Sequence, residues 1–152
     1  MDIDTAAQLN ERIKNKSTLE ILQFVSHEFG GKIKFASSMG LEDQVITNLL
    51  AVHELPVEIF TLDTGRMFYE TYELIEKTQA RYKIPIKIYF PDAGEVEEMV
   101  NSKGINLFYQ SIENRKQCCG IRKIKPLKRA LKGMDAWITG LRREQSPTRV
   151  DM

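Results

Sequence analysis

The chain has 152 residues, a length that suits one domain with a substantial buried core. Hydrophobic residues make up 42% of it and charged residues 28%, the balance of an ordinary globular protein. The formal net charge is only +1, so nucleic acid is not an expected partner. No apolar run reaches the roughly 18 residues of a membrane span, so no membrane partner is expected either.

The two cysteines, Cys118 and Cys119, are neighbours in the sequence. Adjacent cysteines rarely form a disulfide, because the bond between them is strained. The N-terminus carries Asp2 and Asp4 and has no apolar stretch of the kind found in secretory signals. We therefore expect a reduced, cytoplasmic protein.

Helical and strand-like patterns alternate along the chain. Residues 1–16 form a separate N-terminal segment, whose first dozen residues are a candidate linker. Predicted helices cover 17–29, which a capping box opens, then 41 to about 53, 67–82, 95–103 and most of 106–131, where Pro126 forces a break or kink. Predicted strands cover 32–36, 57–62, 84–90 and 136–139. In the helix at 67–82, Phe68, Tyr72 and Ile75 share a helical spacing and are predicted to be core residues.

Strands that alternate with helices predict an α/β fold, with a mostly parallel sheet and helices on both faces. Right-handed crossovers place every strand-to-helix loop at the same edge of such a sheet, where ligands bind. We therefore expect the loops that follow the four strands to meet there. These loops are 37–43, 63–66, 91–94 and 140–149.

The loop at 37–43, Ser-Ser-Met-Gly-Leu-Glu-Asp, joins a predicted strand to a predicted helix. The first N–H groups of a helix lack partners and attract anions, and Gly40 allows a ligand to approach the backbone closely. Ser37 and Ser38 add hydroxyl donors. The loop matches neither the Walker pattern nor G-x-G-x-x-G, so an ordinary capped turn stays open as the alternative.

Three further stretches carry polar chemistry. Asp63-Thr64-Gly65-Arg66 combines a carboxylate, a hydroxyl and a guanidinium, and arginine binds phosphate or sulfate oxygens in a fork. The loop after the last strand contains Arg142, Arg143 and Arg149 and is a candidate anion clamp, with a solvated charged face as the alternative. The basic residues around Cys118 and Cys119 favour thiolates, which bind soft metals and iron–sulfur clusters, although one buried structural cysteine would also fit.

Four motifs in this order resemble the assimilatory adenylyl-sulfate (APS) reductases, relatives of the phosphoadenylyl-sulfate (PAPS) reductases. They are S-S-M-G-L-E-D-Q-V, L-D-T-G-R-x-F-x-E-T-Y, C-C-G-I-R-K-I-K-P-L and T-G-L-R-R-E-Q-S. The resemblance implies an adenine nucleotide α-hydrolase-like fold, of the PP-loop or Rossmann-like kind. It also implies that 17–152 is a nucleotide-binding reductase domain, truncated at its C-terminus.

The resemblance implies a role for each matching residue. Ser37, Ser38 and Gly40 would cradle the phosphosulfate, while Leu62, Asp63, Thr64, Gly65 and Arg66 would lie beside the nucleotide. Gly140, Arg142, Arg143 and Arg149 would close over the substrate. Cys118 and Cys119 would be the first ligand pair of a 4Fe-4S cluster, and Lys123 would link that cluster to the substrate.

The implied reaction is the reduction of APS to sulfite and AMP in sulfate assimilation, toward cysteine biosynthesis. A cysteine thiolate attacks the sulfur of APS, AMP leaves with the bridging oxygen, and thioredoxin or a similar dithiol then releases sulfite from the enzyme S-sulfonate. The family carries that cysteine, and a second Cys-x-x-Cys pair, in a further third beyond Met152. We therefore expect no nucleophilic residue, no complete cluster and no activity in this chain alone, with Lys123 in a supporting role.

Other interpretations remain open at this point. The chain could come from a PAPS reductase, although the Cys-Cys pair favours APS. It could be a non-catalytic nucleotide-binding fragment, or an ATP-pyrophosphatase-type ligase that uses the loop at 37–43. In each case APS, AMP or a related nucleotide is the expected ligand, and a homo-oligomer is compatible with the sequence.

Overall fold

The computed structural model describes residues 3–142, and within them the chain forms an α/β fold. The α-helices are α1 (Ile3–Ile13), α2 (Thr18–Glu28), α3 (Leu41–Val52), α4 (Tyr69–Tyr82), α5 (Ala93–Lys103), α6 (Ile112–Cys119) and α7 (Lys125–Ala130). The strands are β1 (Ile33–Ala36), β2 (Glu58–Leu62), β3 (Ile86–Tyr89) and β4 (Ala136–Ile138). A 3-10 turn spans Leu107–Tyr109, and a π-helical segment spans Gly120–Ile124.

The strands follow the order β3-β2-β1-β4 in one sheet. Strands β1 and β4 are parallel, and Phe35 lies opposite Ile138 at their carboxyl ends. This arrangement confirms the predicted α/β class with a parallel sheet. It also means that the loops after β1 and β4 leave the sheet at the same edge, because paired parallel strands end on the same side.

The chain divides into two compact units, and each has its own buried residues. Unit 1 comprises the residues up to Ile59 together with those from Gly133 onward, and it buries Ile33, Phe35 and Leu50. Unit 2 comprises Phe60–Lys132. It buries a first apolar set, Phe60, Ile75 and Ile86, and a second cluster formed by Met99, Leu107 and Cys118.

Helix starts follow the predicted local chemistry. The capping box of α2 is present, since Ser17 Oγ accepts from the Glu20 N–H at 3.3 Å and Glu20 Oε2 accepts from the Ser17 N–H at 2.8 Å. The predicted break near Pro126 appears as the π-helical segment directly before α7, and Pro126 lies in the first turn of α7, where it is tolerated. Within the described chain, every helix is too short or too polar to cross a bilayer.

Two sequence-based predictions were wrong. The N-terminal segment taken as a candidate linker forms α1, and Arg12 of this helix binds the Glu28 carboxylate and lies 4.5 Å from the centre of the Phe24 ring. Ile75 is buried as predicted, but Phe68 is 80% exposed and Tyr72 is 41% exposed. Phe68 precedes α4 as its N-cap residue, so it lies outside the helical face that spacing alone would assign to it.

Candidate functional site

The loop after β1 is shaped by its own serines. The Met39 N–H donates to Ser37 Oγ at 3.1 Å, and the Gly40 N–H points to Ser38 Oγ at 3.4 Å. Met39 adopts a left-handed conformation with φ 66°, although its side chain is buried. A left-handed backbone at a residue other than glycine costs about 1–3 kcal/mol, and such strain is concentrated at functional sites. Both serine hydroxyls therefore accept hydrogen bonds from the backbone of their own loop.

Asp43 holds this loop from the first turn of α3. Its carboxylate oxygen Oδ2 accepts from both the N–H and the hydroxyl of Ser38, each at 2.5 Å. Asp43 is only 5% exposed, so its charge is stabilised by these donors rather than by bulk water. The sequence alone assigned no role to Asp43. Asp43 accepts hydrogen bonds from Ser38, five residues earlier, and the order of residues in the Ser-Ser-Met-Gly-Leu-Glu-Asp motif does not show that the two are in contact.

Gly40 is the N-cap residue of α3 and provides no side-chain cap. The first turn of this helix therefore presents backbone N–H groups and the positive end of a helix dipole without a capping side chain at its start. An anion that reached the first turn would find donors there without displacing such a cap.

The loop after β4 contacts two acidic residues of α3, Asp43 and Glu42. Gly140 lies so close to the Asp43 carboxylate that a methyl group at its Cα would overlap the carboxylate oxygen, and the β-carbon of Glu42 would lie 3.2 Å away. Arg142 Nη2 forms an ion pair with Glu42 Oε1 at 2.5 Å. Within unit 1, Ser37, Ser38, Gly40, Gly140 and Arg142 are therefore brought to one edge of the β1–β4 pair. Arg143 and Arg149 lie outside the described residues.

In unit 2, the loop after β2 is held from several sides. Leu62 ends β2, and the next N–H, that of Asp63, donates to Tyr89 O at 3.0 Å at the end of β3. The Asp63 carboxylate accepts from the Gly65 N–H at 2.7 Å and from the Tyr72 hydroxyl at 2.8 Å. The Arg66 N–H donates to Thr64 Oγ1 at 3.3 Å. The predicted turn at 63–66 is thus a closely bonded loop.

The guanidinium of Arg66 is engaged within unit 2. It donates to Ile105 O and to Asn106 Oδ1, both at 3.1 Å, and lies 4.7 Å from the centre of the Phe108 ring. Arg66 therefore attaches the loop to the segment after α5. An anionic ligand would meet a guanidinium whose donors on this side are already in use.

Arg122 is a site residue that the sequence analysis missed. It is 92% buried, since its exposed fraction is 8%, and its Nη1 donates to Thr64 O at 2.6 Å. The same nitrogen lies 3.0 Å from the position that a β-carbon on Gly65 would occupy, and Gly65 has φ +70°. Glycine is thus required at 65 both by the left-handed backbone and by the guanidinium beside it. The sequence drew attention to Lys123, whose side chain is exposed.

Cys118 and Cys119 end α6 and lead into the π-helical segment. Cys118 is buried against Met99 and Leu107, and Cys119 is partly exposed. Both are free thiols. In the part of the chain that the structure describes, no three His, Cys, Asp or Glu side chains are grouped so that they could hold a metal ion. Because the sequence has two cysteines in all, the residues present supply two thiolates and do not complete a four-thiolate cluster site.

The model of the phosphoadenosine phosphosulfate reductase domain family matches residues 32–152. The match includes the loop after β1, the loop after β2, the cysteine pair and the loop after β4. The chain belongs to this family.

Its relatives in the PAPS reductase domain family carry related names. An adenosine 5'-phosphosulfate reductase of Sinorhizobium fredii is 45% identical over 144 residues, which are 95% of this chain and 57% of that protein. One of Allochromatium vinosum is 44% identical over 139 residues, covering 91% of this chain and 54% of that protein. The 5'-adenylylsulfate reductase 3, chloroplastic, of Arabidopsis thaliana is 42% identical over 147 residues, 97% of this chain and 31% of that protein. The aligned part of the chain thus spans little more than half the length of these two bacterial relatives.

A solved structure confirms the fold that the family resemblance implied. The crystal structure of phosphoadenylyl-sulfate (PAPS) reductase from Candida auris, in a phosphate complex, matches with a TM-score of 0.79 and 27% identity. The match covers 93% of this chain and 68% of that chain. The family match therefore rests on both sequence and fold.

Proposed function

We propose that this chain is the nucleotide-binding part of an enzyme that reduces APS to sulfite and AMP with electrons from thioredoxin or a similar dithiol. The observation that carries the proposal is the edge formed by β1 and β4, where the uncapped start of α3 lies beside the loop that bears Gly140 and Arg142. Helix N-termini and guanidinium groups are the donors that phosphate and sulfate prefer. Relatives named adenosine 5'-phosphosulfate reductase support the choice of APS.

Within this proposal, unit 1 binds the phosphosulfate of the substrate. Ser37, Ser38 and Asp43 shape the loop, and the backbone at Gly40 and the first turn of α3 provides the donors. Arg142 is paired with Glu42, so an incoming anion competes with a carboxylate for this guanidinium. Arg143 and Arg149 stay predicted ligands of the substrate. As AMP leaves, cationic side chains around its phosphate would stabilise the departing charge.

The proposal for unit 2 concerns the loop at Leu62–Arg66 and the cysteine pair. Asp63, Thr64 and Gly65 form a loop held in one conformation, which we propose lies beside the nucleotide. We propose that Cys118 and Cys119 are two of four thiolate ligands of a 4Fe-4S cluster in a longer form of the protein, with Lys123 in a supporting role. Iron and acid-labile sulfide in a form with two further cysteines would test this, and a folded but iron-free protein would contradict it.

The 152-residue chain should bind nucleotide without reducing it. Its two cysteines are the proposed ligand pair, which leaves no separate thiol to attack the sulfur of APS. The chain incubated with APS and a dithiol should release no sulfite. Sulfite release above the rate of a cysteine-free variant would show that this part of the proposal is wrong.

Isothermal titration calorimetry with APS, AMP and PAPS tests the binding proposal. We expect APS and AMP to bind to the folded chain, and neither should bind to an Arg142→Ala, Gly140→Ala double variant with comparable affinity. A folded chain that binds neither nucleotide would refute the proposal. Tighter binding of PAPS than of APS would favour a PAPS reductase, which the Candida auris structure keeps as the second candidate.

The family match argues against the ligase alternative. A ligase of the ATP-pyrophosphatase type would form an adenylate and release pyrophosphate from ATP and Mg²⁺. We expect no pyrophosphate release by this chain. A reduced, cytoplasmic location and a homo-oligomeric assembly stay predictions. A reducing compartment would keep both thiols free.

A further inference from the structure

The Asp63 carboxylate is directed into its own loop. Asp63 is 4% exposed, and its two oxygens accept from different donors, the Gly65 N–H at 2.7 Å and the Tyr72 hydroxyl at 2.8 Å. The first hydrogen bond closes the turn, and the second comes from a side chain on α4, nine residues later. The orientation of the carboxylate therefore depends on a partner outside the loop.

The carbonyl side of the loop has a second restraint. Arg122 Nη1 donates to Thr64 O at 2.6 Å and lies directly beside Gly65. Asp63 and Arg122 thus hold the two ends of a single peptide unit, because Thr64 O and the Gly65 N–H belong to the same peptide bond. If either restraint were lost, Gly65 would be free to leave its left-handed conformation, because glycine populates many backbone conformations.

The hydroxyl group of Tyr72 contributes more to this loop than the packing of its ring does. Tyr72 is 41% exposed, so its ring is not part of the buried core. The hydrogen bond to Asp63 raises the pKa of Tyr72 above its ordinary value of 10.0, with burial and the Asp63 charge adding to the effect. The phenol therefore stays protonated, and remains a donor, throughout the neutral range.

We propose that Tyr72 is a positioning residue for the nucleotide site, whose hydroxyl fixes the Asp63 carboxylate and through it the loop from Asp63 to Arg66. This inference rests on the proposed function, in which that loop lies beside the nucleotide. The proposal gives Tyr72, the last residue of the L-D-T-G-R-x-F-x-E-T-Y motif, a role that its helical spacing does not indicate.

The variant Tyr72→Phe removes the hydroxyl and keeps the ring. Its matched control is Tyr69→Phe, which makes the same change three residues earlier on α4 at a side chain that is 72% exposed. We expect Tyr72→Phe to weaken AMP affinity about tenfold in calorimetry, while Tyr69→Phe changes it less than about twofold. Equal AMP affinity in wild type and Tyr72→Phe would overturn the proposal.

A second measurement separates this inference from the proposed function. Amide hydrogen exchange at Gly65 reports the bond to Asp63 directly, and it needs no ligand. We expect exchange at Gly65 to be faster in Tyr72→Phe than in Tyr69→Phe, by more than the difference between the urea midpoints of the two variants would account for. If wild type binds no AMP, the proposed function fails, and the exchange result then decides on Tyr72 alone: equal rates at Gly65 in the two variants would refute the link.

Discussion

Removal of the Asp43 carboxylate should loosen the loop after β1 and cost measurable stability. In Asp43→Ala, the N–H and the hydroxyl of Ser38 both lose the acceptor that they share at 2.5 Å. Two hydrogen bonds to a charged group are worth roughly 1.5–3 kcal/mol each in favourable cases. Ser38 itself is exposed, so water can replace part of this, and the buried carboxylate no longer has to be desolvated.

The net loss should therefore be about 2 kcal/mol in the free energy of unfolding. For a domain of this size that corresponds to a fall in Tm of roughly 4–8 °C. Urea unfolding followed by circular dichroism would measure it. Asp43→Asn keeps one carbonyl acceptor and should lose less than Asp43→Ala.

Glu42→Gln is the matched control from the neighbouring position. It removes an ion pair to Arg142 whose side chain is 59% exposed, and exposed pairs contribute about 0–1 kcal/mol. If Asp43→Ala were as stable as wild type, or if Glu42→Gln were the more damaging change, the assignment of Asp43 as the anchor of this loop would be wrong.

Two further predictions concern close approach and ionisation. Gly140→Ala places a methyl group against the Asp43 carboxylate and should destabilise the chain by about 1–3 kcal/mol in urea unfolding. Gly120→Ala is the control and should be nearly neutral, because nothing lies within 4 Å of the new methyl group. Equal losses of stability in the two variants would contradict the close approach of Gly140 to Asp43. The raised pKa of Tyr72 means that its stabilising contribution is complete below about pH 10 and is lost as pH rises through the raised value. Ultraviolet titration of the phenol should show this, and Asp63→Asn should bring the pKa of Tyr72 back down; an unchanged pKa would contradict the assigned cause.

Local sequence patterns predicted the elements of the fold well. The capping box at Ser17 and Glu20 placed the start of α2, and the strand-like stretches placed β1 and β4, because these signals act over a few residues. The N-terminal segment was misjudged, since α1 is held by a contact between Arg12 and Glu28 that no local pattern reveals. Tertiary contacts thus determined the structure of the chain where local sequence signals were weak.

The candidate site was predicted as a set of loops but not as a set of contacts. The resemblance singled out Ser38, Gly140 and Arg142, and the structure brings them to one edge of unit 1. Arg122 was missed because its partner, Thr64, lies 58 residues away in the sequence. Helical spacing predicts a core position for Tyr72, because it indicates which residues share a face and gives no information on what a hydroxyl group binds.

The central claim is that the start of α3 and the loop after β4 bind the anionic part of an adenine nucleotide. A titration of the ¹⁵N-labelled chain with APS, followed by amide chemical shifts, tests it most directly. The account predicts that the largest saturable shifts occur at Ser38, Gly40 and Gly140, with inorganic sulfate reproducing them at higher concentration. Saturable shifts that leave these three amides unchanged would contradict the claim.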